Sequence, residues 1–165
     1  MPIKYLTLLY SINIKHISRF LRNLAKAIRC KDELVSCYSC FLRPVLEYLS
    51  NVYHPMLNVK LTKHLEGLQI SALRIIYGYA DSRESILEKS GLNTLESRRE
   101  TLFNKFCLKT HSNPRFRESW LKDRNFTGPD LRHQKIFNEY FARTDRLFKS
   151  PIYTLRRTLN DILIT

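Results

Sequence analysis

The chain has 165 residues, an apolar fraction of 44% and a formal net charge of +13, with a pI near 9.8. This length favours a single domain, and the apolar fraction argues against wholesale disorder. Only four glycines are present, which disfavours a turn-rich β-sandwich or barrel and suits helices. The charge predicts a polyanionic partner, either nucleic acid or an acidic membrane surface. The plain alternative is a solvated surface that keeps the protein soluble.

The chain has no signal-peptide pattern, and no stretch reaches the roughly 20 apolar residues that span a bilayer. We therefore expect an intracellular protein, nuclear or cytoplasmic, whose four cysteines stay reduced. Basic residues occur on several predicted helices and not on one amphipathic face, so we expect no membrane partner.

The first predicted elements lie in residues 3–30. Residues 3–10 form a short apolar, β-prone run that is compatible with a strand or with the start of a helix. The next segment has an apolar helical face, with Asn13 as a candidate N-cap. That face is formed by Ile14, Ile17, Leu21, Leu24 and Ile28. Basic residues repeat the same steps one position later, about 100° around the helix. They are Lys15, Arg19, Arg22, Lys26 and Arg29. We predict phosphate contacts there; the alternative is an ordinary solvated helix face.

A second helix is predicted to begin at Asp32 and Glu33, because negative charge favours a helix N-terminus. Pro44 either kinks this helix or begins a new one in its first turn. Its buried side is expected to consist of Leu34, Tyr38, Phe41, Val45 and Leu49. Residues 51–58 are predicted to be a connection, with the residue before Pro55 extended.

The strongest helical signal spans residues 59–77, where Leu61, Leu65, Leu68, Ala72 and Ile75 recur at helical spacing and Gly78 provides the stop. Ser82 and Gly91 bound a short fourth helix. Thr94 is expected to cap a fifth helix, from Leu95 to about His111, with a second basic stripe. That stripe consists of Arg98, Lys105 and Lys109.

Helix-breaking residues and aromatic spacing indicate the structure of residues 112–165. Residues 112–130 are predicted to be a long connection, pinned to the core by Trp120 and Phe126, although their mixed aromatic and basic residues could also stack on bases. A sixth helix is predicted over residues 131–148. Pro151 interrupts the chain before a short last helix. The fold prediction is therefore mainly α, an irregular bundle of about six or seven helices, with room for one short N-terminal strand.

The search for catalytic or metal chemistry gives little. Cys37 and Cys40 form a CxxC pair, but a second pair at zinc-site spacing is lacking, and we expect both to be core residues within a helix. A metal site and a redox pair are the alternatives. No glycine-rich phosphate loop and no nucleophile elbow occur. We predict no catalytic residue, no metal and no cofactor.

A family resemblance appears in the stretch from residue 42 to residue 78. The segment PVLEY at 44–48, followed by YHP at 53–55, is similar to a signature downstream of the polymerase core in jockey-like non-LTR retrotransposon reverse transcriptases. LEGLQ at 65–69 and ALRIIYG at 72–78 resemble the pattern that follows it, and residues 87–99 continue the match. KYL at 4–6 resembles the strand after the active-site aspartates, though Thr7 replaces the usual glycine and Tyr53 the usual tryptophan.

The resemblance covers roughly residues 3–115 and implies the thumb and the helical region beyond it, which hold the template–primer duplex. The palm with its paired aspartates is absent, as are the fingers and the endonuclease, so the resemblance implies no polymerase activity for this chain alone. It suggests a thumb-like helical domain over residues 1–111 and a loop-rich extension over 112–165. We expect a non-catalytic fragment that binds RNA, DNA or a hybrid non-specifically. The alternatives are one part of an active reverse transcriptase whose palm is encoded upstream, which would be a protein partner, or a degenerate product without activity.

Overall fold

A computed structural model of the protein describes residues 18–121, 135–139 and 141–164. These residues are mainly helical, as predicted, and contain no β-sheet. The predicted run at 3–10 and the candidate residue Lys15 lie outside them. The helices are α1 (residues 18–27), α2 (Lys31–Cys37), α3 (Arg43–Glu47), α4 (Ser50–Tyr53), α5 (Val59–Tyr77), α6 (Arg83–Ser90), α7 (Leu95–Ser112), α8 (Pro114–Trp120), α9 (Asp145–Phe148) and α10 (Pro151–Ile164).

The chain divides into two compact units. Unit 1 consists of Met1–Tyr48 and Asn58–Arg98, and unit 2 consists of Leu49–Leu57 and Arg99–Thr165. Residue 111, where the sequence-based division falls, lies inside unit 2.

The core of unit 1 forms around α5, which packs against α2 and α6. Side chains from four helices and from the turn after α2 close this core, each burying apolar surface that stabilises the unit by about 25 cal/mol per Å². The buried members are Leu21, Leu34, Tyr38, Leu42, Ala72, Leu73, Ile76 and Ile86. The apolar face predicted for α5 is only partly buried. Leu65 and Ala72 are buried, whereas Leu61, Leu68 and Ile75 are half-buried.

A π-helical turn, Tyr38–Leu42, joins α2 to α3. The N–H of Arg43 donates to the carbonyl of Tyr38, five residues back, so this turn holds one residue more than an α-turn. The buried positions therefore follow steps of four, at Leu34, Tyr38, Leu42 and Leu46. The predicted α-helical steps were wrong beyond Tyr38: Phe41 is 62% exposed and Leu49 is 51% exposed. Pro44 lies in the first turn of α3, the second of its two predicted roles.

Helix boundaries in unit 1 follow their local signals. The Asn58 side chain accepts from the N–H of Leu61 at the start of α5, and Gly78 follows its last residue with φ of 102°. Ser82 caps α6 and Gly91 ends it in the left-handed conformation that glycine favours. Thr94 accepts from the N–H of Ser97 and caps α7, as predicted.

Two buried polar side chains on α5 hold the start of α7. The carboxylate of Glu66 accepts from the N–H of Leu95 at 3.3 Å and from that of Glu96 at 2.7 Å. Negative charge is favoured there, because the first amides of a helix lack internal partners. The Gln69 amide donates to the Asn93 carbonyl at 3.0 Å and accepts from the Tyr38 hydroxyl at 3.2 Å. Burial raises the pKa of Tyr38 well above its usual value, so this hydroxyl stays protonated.

Unit 2 has its own core, formed by side chains of α7, α10 and the segments between them. Its buried members are Phe103, Cys107, Leu121, Phe137, Leu155 and Leu159. Asn160 holds an irregular segment against α10. Its side chain accepts from the N–H of Phe137 at 2.8 Å and donates to the carbonyl of Phe137 at 3.1 Å and to Glu139 at 2.8 Å.

Three predictions outside unit 1 were wrong. Residues 51–58 contain α4 and a 3-10 turn, His54–Met56, and His54 is helical instead of extended. The connection predicted at 112–130 contains α8, because Asn113 caps a helix with Pro114 in its first turn. The helix predicted over 131–148 is absent from its described residues 135–139 and 141–144, and only α9 is helical there.

Candidate nucleic-acid interface

The first basic stripe lies on α1 and the residues that follow it. Leu21 is fully buried, and Leu24 and Ile28 pack against the core of unit 1. With this apolar face fixed inward, the positions one residue later point to solvent. Arg19, Arg22, Lys26 and Arg29 are all exposed. None of the four side chains makes an ion pair or hydrogen bond with any residue that the structure describes.

Among the described residues of unit 1, the net charge is concentrated in one segment. Residues 18–30 contain four Lys or Arg and no Asp or Glu. In the other described residues of unit 1, eight Lys or Arg are matched by eight Asp or Glu. The net charge of +4 on the described part of unit 1 therefore resides wholly on residues 18–30. A basic segment without acids, next to described residues whose charges cancel, produces a local positive potential. Such a potential attracts polyanions.

The second basic stripe divides between the two units. Lys105 and Lys109 are exposed on the part of α7 that belongs to unit 2. Arg98 belongs to unit 1 and is engaged elsewhere: its Nε donates to Glu47 Oε1 at 2.5 Å, and the same oxygen accepts from Arg43 at 3.0 Å. The Glu47 side chain is only 12% exposed, so this three-residue group is part of the structure of unit 1.

Two exposed aromatic rings accompany α1, and neither is among the predicted contact residues. Phe20 on α1 and Phe41 in the π-helical turn pack edge to face, with ring centroids 6.3 Å apart and an interplanar angle of 77°. The rings are 48% and 62% exposed. An unbroken α-helix through residues 38–42 would place Phe41 in the core, and the π-helical turn brings it to the surface instead. The exposure of Phe20 could have been found from its position between Arg19 and the buried Leu21.

The cysteines do not form a metal centre in the described part of the chain. Cys37 is half-buried and Cys40 is exposed in the π-helical turn, so the expectation that both are core residues was wrong for Cys40. No group of three or more His, Cys, Asp or Glu side chains suited to a metal ion occurs in residues 18–121, 135–139 and 141–164. Cys107 is buried in unit 2, and burial raises the pKa of its thiol to about 12.

The aromatic and basic mixture predicted around residues 116–126 lies partly outside the described residues, since Phe126 is not among them. Phe116 and Trp120 pack together on α8, with ring centroids 4.9 Å apart. Trp120 also packs against the core of unit 2, and its carbonyl accepts from Arg156 Nε at 2.9 Å. These contacts agree with the core-pinning alternative for Trp120.

Among the helices described, none is both long and apolar enough to cross a membrane. Comparison of the chain with protein-family models, with curated proteins and with solved structures found no match.

Proposed function

We propose that this protein binds nucleic acid through the phosphate backbone and that the exposed stripe Arg19, Arg22, Lys26 and Arg29 is its main contact surface. One observation carries the proposal: the net charge of the described part of unit 1 lies entirely on residues 18–30, which contain no acid. A basic surface that serves only solubility has no reason to be concentrated on one short segment while the other described residues of the unit are neutral.

The dimensions of the stripe fit a nucleic-acid strand. Arg19 and Lys26 are seven positions apart on α1, which corresponds to roughly 10 Å at the helical rise of about 1.5 Å per residue, and Arg29 follows beyond the end of the helix. One strand of duplex DNA places a phosphate about every 3.4 Å along the axis, so a row of roughly four phosphates has this length. Arginine suits this role because its planar guanidinium donates two parallel hydrogen bonds to a phosphate.

The family resemblance supports the same function. A thumb region of a reverse transcriptase holds template and primer and carries no catalytic aspartates. We therefore propose that the chain acts as a non-catalytic, retrotransposon-derived binding fragment. Lys105 and Lys109 remain candidates for a second contact on unit 2, whereas the partnership of Arg98 with Glu47 makes it a weaker one.

The salt dependence of binding tests the proposal. Four phosphate contacts give a slope of log K against log salt of about −3.6 for duplex and about −2.8 for a single strand. Duplex affinity should thus fall by about 100-fold between about 50 and 200 mM salt, and we expect micromolar or weaker binding at physiological salt. Fluorescence anisotropy of a labelled oligonucleotide measures both. Affinity that stays constant over this salt range would contradict the proposal.

A matched pair of variants locates the contact. Arg22→Gln with Lys26→Gln removes two charges from the stripe and should reduce the steepness of the salt slope by about 2. Lys60→Gln with Lys63→Gln removes two exposed charges from α5 in the same unit and should change the slope far less. Lys105→Gln with Lys109→Gln measures how much the lysines of unit 2 contribute to the salt dependence of binding. Equal effects of the first two pairs would show that only the total charge matters.

A further inference from the structure

The edge-to-face pair Phe20 and Phe41 is an exposed apolar feature next to the acid-free basic segment. Each ring leaves about half or more of its surface in solvent, although an aromatic side chain gains stability when that surface is buried. The contact between the rings, at 6.3 Å and 77°, fixes Phe41 of the π-helical turn against α1. The two rings therefore form one preformed apolar surface on unit 1.

The rings and the basic stripe lie on the two edges of the solvent-facing surface of α1. At about 100° per residue, Phe20 lies about 100° from Arg19 and about 160° from Arg22 around the helix axis. Asn23, which is exposed, lies between these edges. A helix with its side chains is about 10–12 Å wide, so one polymer chain that crosses α1 can contact both edges.

A single-stranded nucleic acid has the matching chemistry. Its phosphates are available along one side of the strand, and its unpaired bases are free to stack on an aromatic ring. A duplex encloses its bases and presents mainly phosphates, so it can use the basic edge but not the rings. We propose that Phe20 and Phe41 form a base-stacking platform that makes this surface prefer single-stranded over duplex nucleic acid.

The main competing occupant of the rings is an apolar segment of a protein partner. The charge favours the nucleic acid, because residues 18–30, which include Phe20, carry four basic side chains and no acid. A polyanion with exposed π-faces complements both edges of the surface, whereas an apolar peptide complements only one. The inference rests on the proposed function and adds the class of nucleic acid to it.

The test compares a thymine-only single strand with a duplex of equal length, both binding to the full chain. Phe20→Leu with Phe41→Leu keeps apolar side chains but removes the π-faces. We expect single-strand affinity to fall by about 5- to 100-fold and duplex affinity to stay unchanged. Tyr79→Leu is the matched control, since Tyr79 is an aromatic residue of the same unit that is 74% exposed, and it should alter neither affinity.

A second variant separates stacking from folding. Phe41→Trp keeps a large π-face and should retain or raise single-strand affinity, together with the quenching of 2-aminopurine placed in the strand. A loss in Phe41→Trp as large as in the leucine variant would overturn the platform. So would equal losses on single strand and duplex, or unchanged single-strand affinity accompanied by reduced self-association in sedimentation.

The two proposals fail in different ways. If the leucine variant binds normally but Arg22→Gln with Lys26→Gln weakens both nucleic acids, the stacking platform is wrong and phosphate binding stands. If the charge variants leave both affinities unchanged, the proposed function itself is wrong.

Discussion

The two units use buried polar side chains for different tasks. In unit 1, Glu66 and Gln69 project from the long helix α5 and bind the N-terminal end of α7 and the carbonyl of Asn93 before it. They add to a helix end that Thr94 already caps. In unit 2, Asn160 binds both the N–H and the carbonyl of Phe137, in a segment that is not helical. The buried polar side chains Glu66 and Gln69 of unit 1 thus support the start of a regular helix. In unit 2, the buried Asn160 binds backbone groups that belong to no helix.

This difference indicates how much stability each unit should lose when one of these buried polar side chains is removed. A helix end with several hydrogen-bond donors and acceptors loses only part of its support when one side chain is removed. Loss of the Asn160 amide removes its hydrogen bonds to both backbone groups of Phe137 together, and a buried group without a partner costs about 1–3 kcal/mol. The following predictions test this contrast, from the largest expected effect to the smallest.

Asn160→Leu should produce the largest loss, because leucine has a similar volume but cannot pair with Phe137 or Glu139. We expect unit 2 to be destabilised by about 3 kcal/mol. Labelling of the buried thiol of Cys107 under mild denaturant measures the opening of unit 2. Asn160→Asp keeps the acceptor for the Phe137 N–H, but its buried carboxylate would face the Phe137 carbonyl and Glu139, so this variant should also destabilise unit 2. Unchanged Cys107 labelling in the leucine variant would contradict the role given to Asn160.

Gln69→Leu should be milder, although Gln69 is fully buried. It leaves the Tyr38 hydroxyl and the Asn93 carbonyl without this partner, but Asn93 is exposed, so water can reach that segment. We expect a loss of about 1–2 kcal/mol in unit 1. Hydrogen exchange of the α5 amides measures it. Ser71→Ala, which removes an exposed hydroxyl from the same helix, serves as the control; a loss in Gln69→Leu above that of Asn160→Leu would reverse the comparison.

Gly67→Ala should stabilise unit 1. Gly67 lies in the middle of α5 on its exposed side, and a Cβ added there meets no atom within 4 Å. Alanine in a helix interior is favoured over glycine by about 0.5–1 kcal/mol. A thermal melt followed by circular dichroism measures the gain. Gly91→Ala is the opposite control, because Gly91 has φ of 62° and alanine is strained there; a loss in both variants would be unexpected.

Acidification should lower the stability of unit 2 through Glu139, by less than the substitutions above change stability. Burial raises the pKa of this carboxyl, but hydrogen bonds from Lys135 and Asn160 and the charges of Lys135 and Arg157 outweigh that, so the pKa lies below its ordinary 4.5. The folded carboxylate therefore binds a proton less readily than the unfolded one. Its contribution to stability is complete above pH 4.5 and is lost as the pH falls through the folded pKa. Denaturant midpoints against pH measure this, and Glu139→Gln should reduce the dependence.

The same contrast explains how much of the fold the sequence predicts. The N-terminal ends of α5, α6 and α7 are predictable because their capping residues Asn58, Ser82 and Thr94 each accept a hydrogen bond from the backbone N–H only three residues later. The segment around Phe137 is not, because its partner Asn160 lies 23 positions later. Helix α8 carries a local signal, a proline in the first turn after an asparagine cap, but the same proline is also typical of a connection between helices.

The candidate site divides in the same way. Periodicity predicts the stripe at Arg19, Arg22 and Lys26, because the positions of the apolar residues in the same helix are enough to show which side faces solvent. The pairing of Arg98 with Glu47 joins residues 51 positions apart and leaves no local pattern. The exposure of Phe41 depends on the π-helical turn, for which no residue type gives a signal.

That turn also determines how the chain can tolerate a change in length. With one residue more than an α-helix needs, Tyr38–Leu42 keeps Leu34, Tyr38, Leu42 and Leu46 in the core at steps of four. Removal of Ser39 would leave the same four side chains at steps of four, three and four, the spacing of an uninterrupted α-helix. The turn is thus a position where the chain can lose a residue and keep its core, whereas a deletion within α5 would rotate every later side chain of that helix by about 100°.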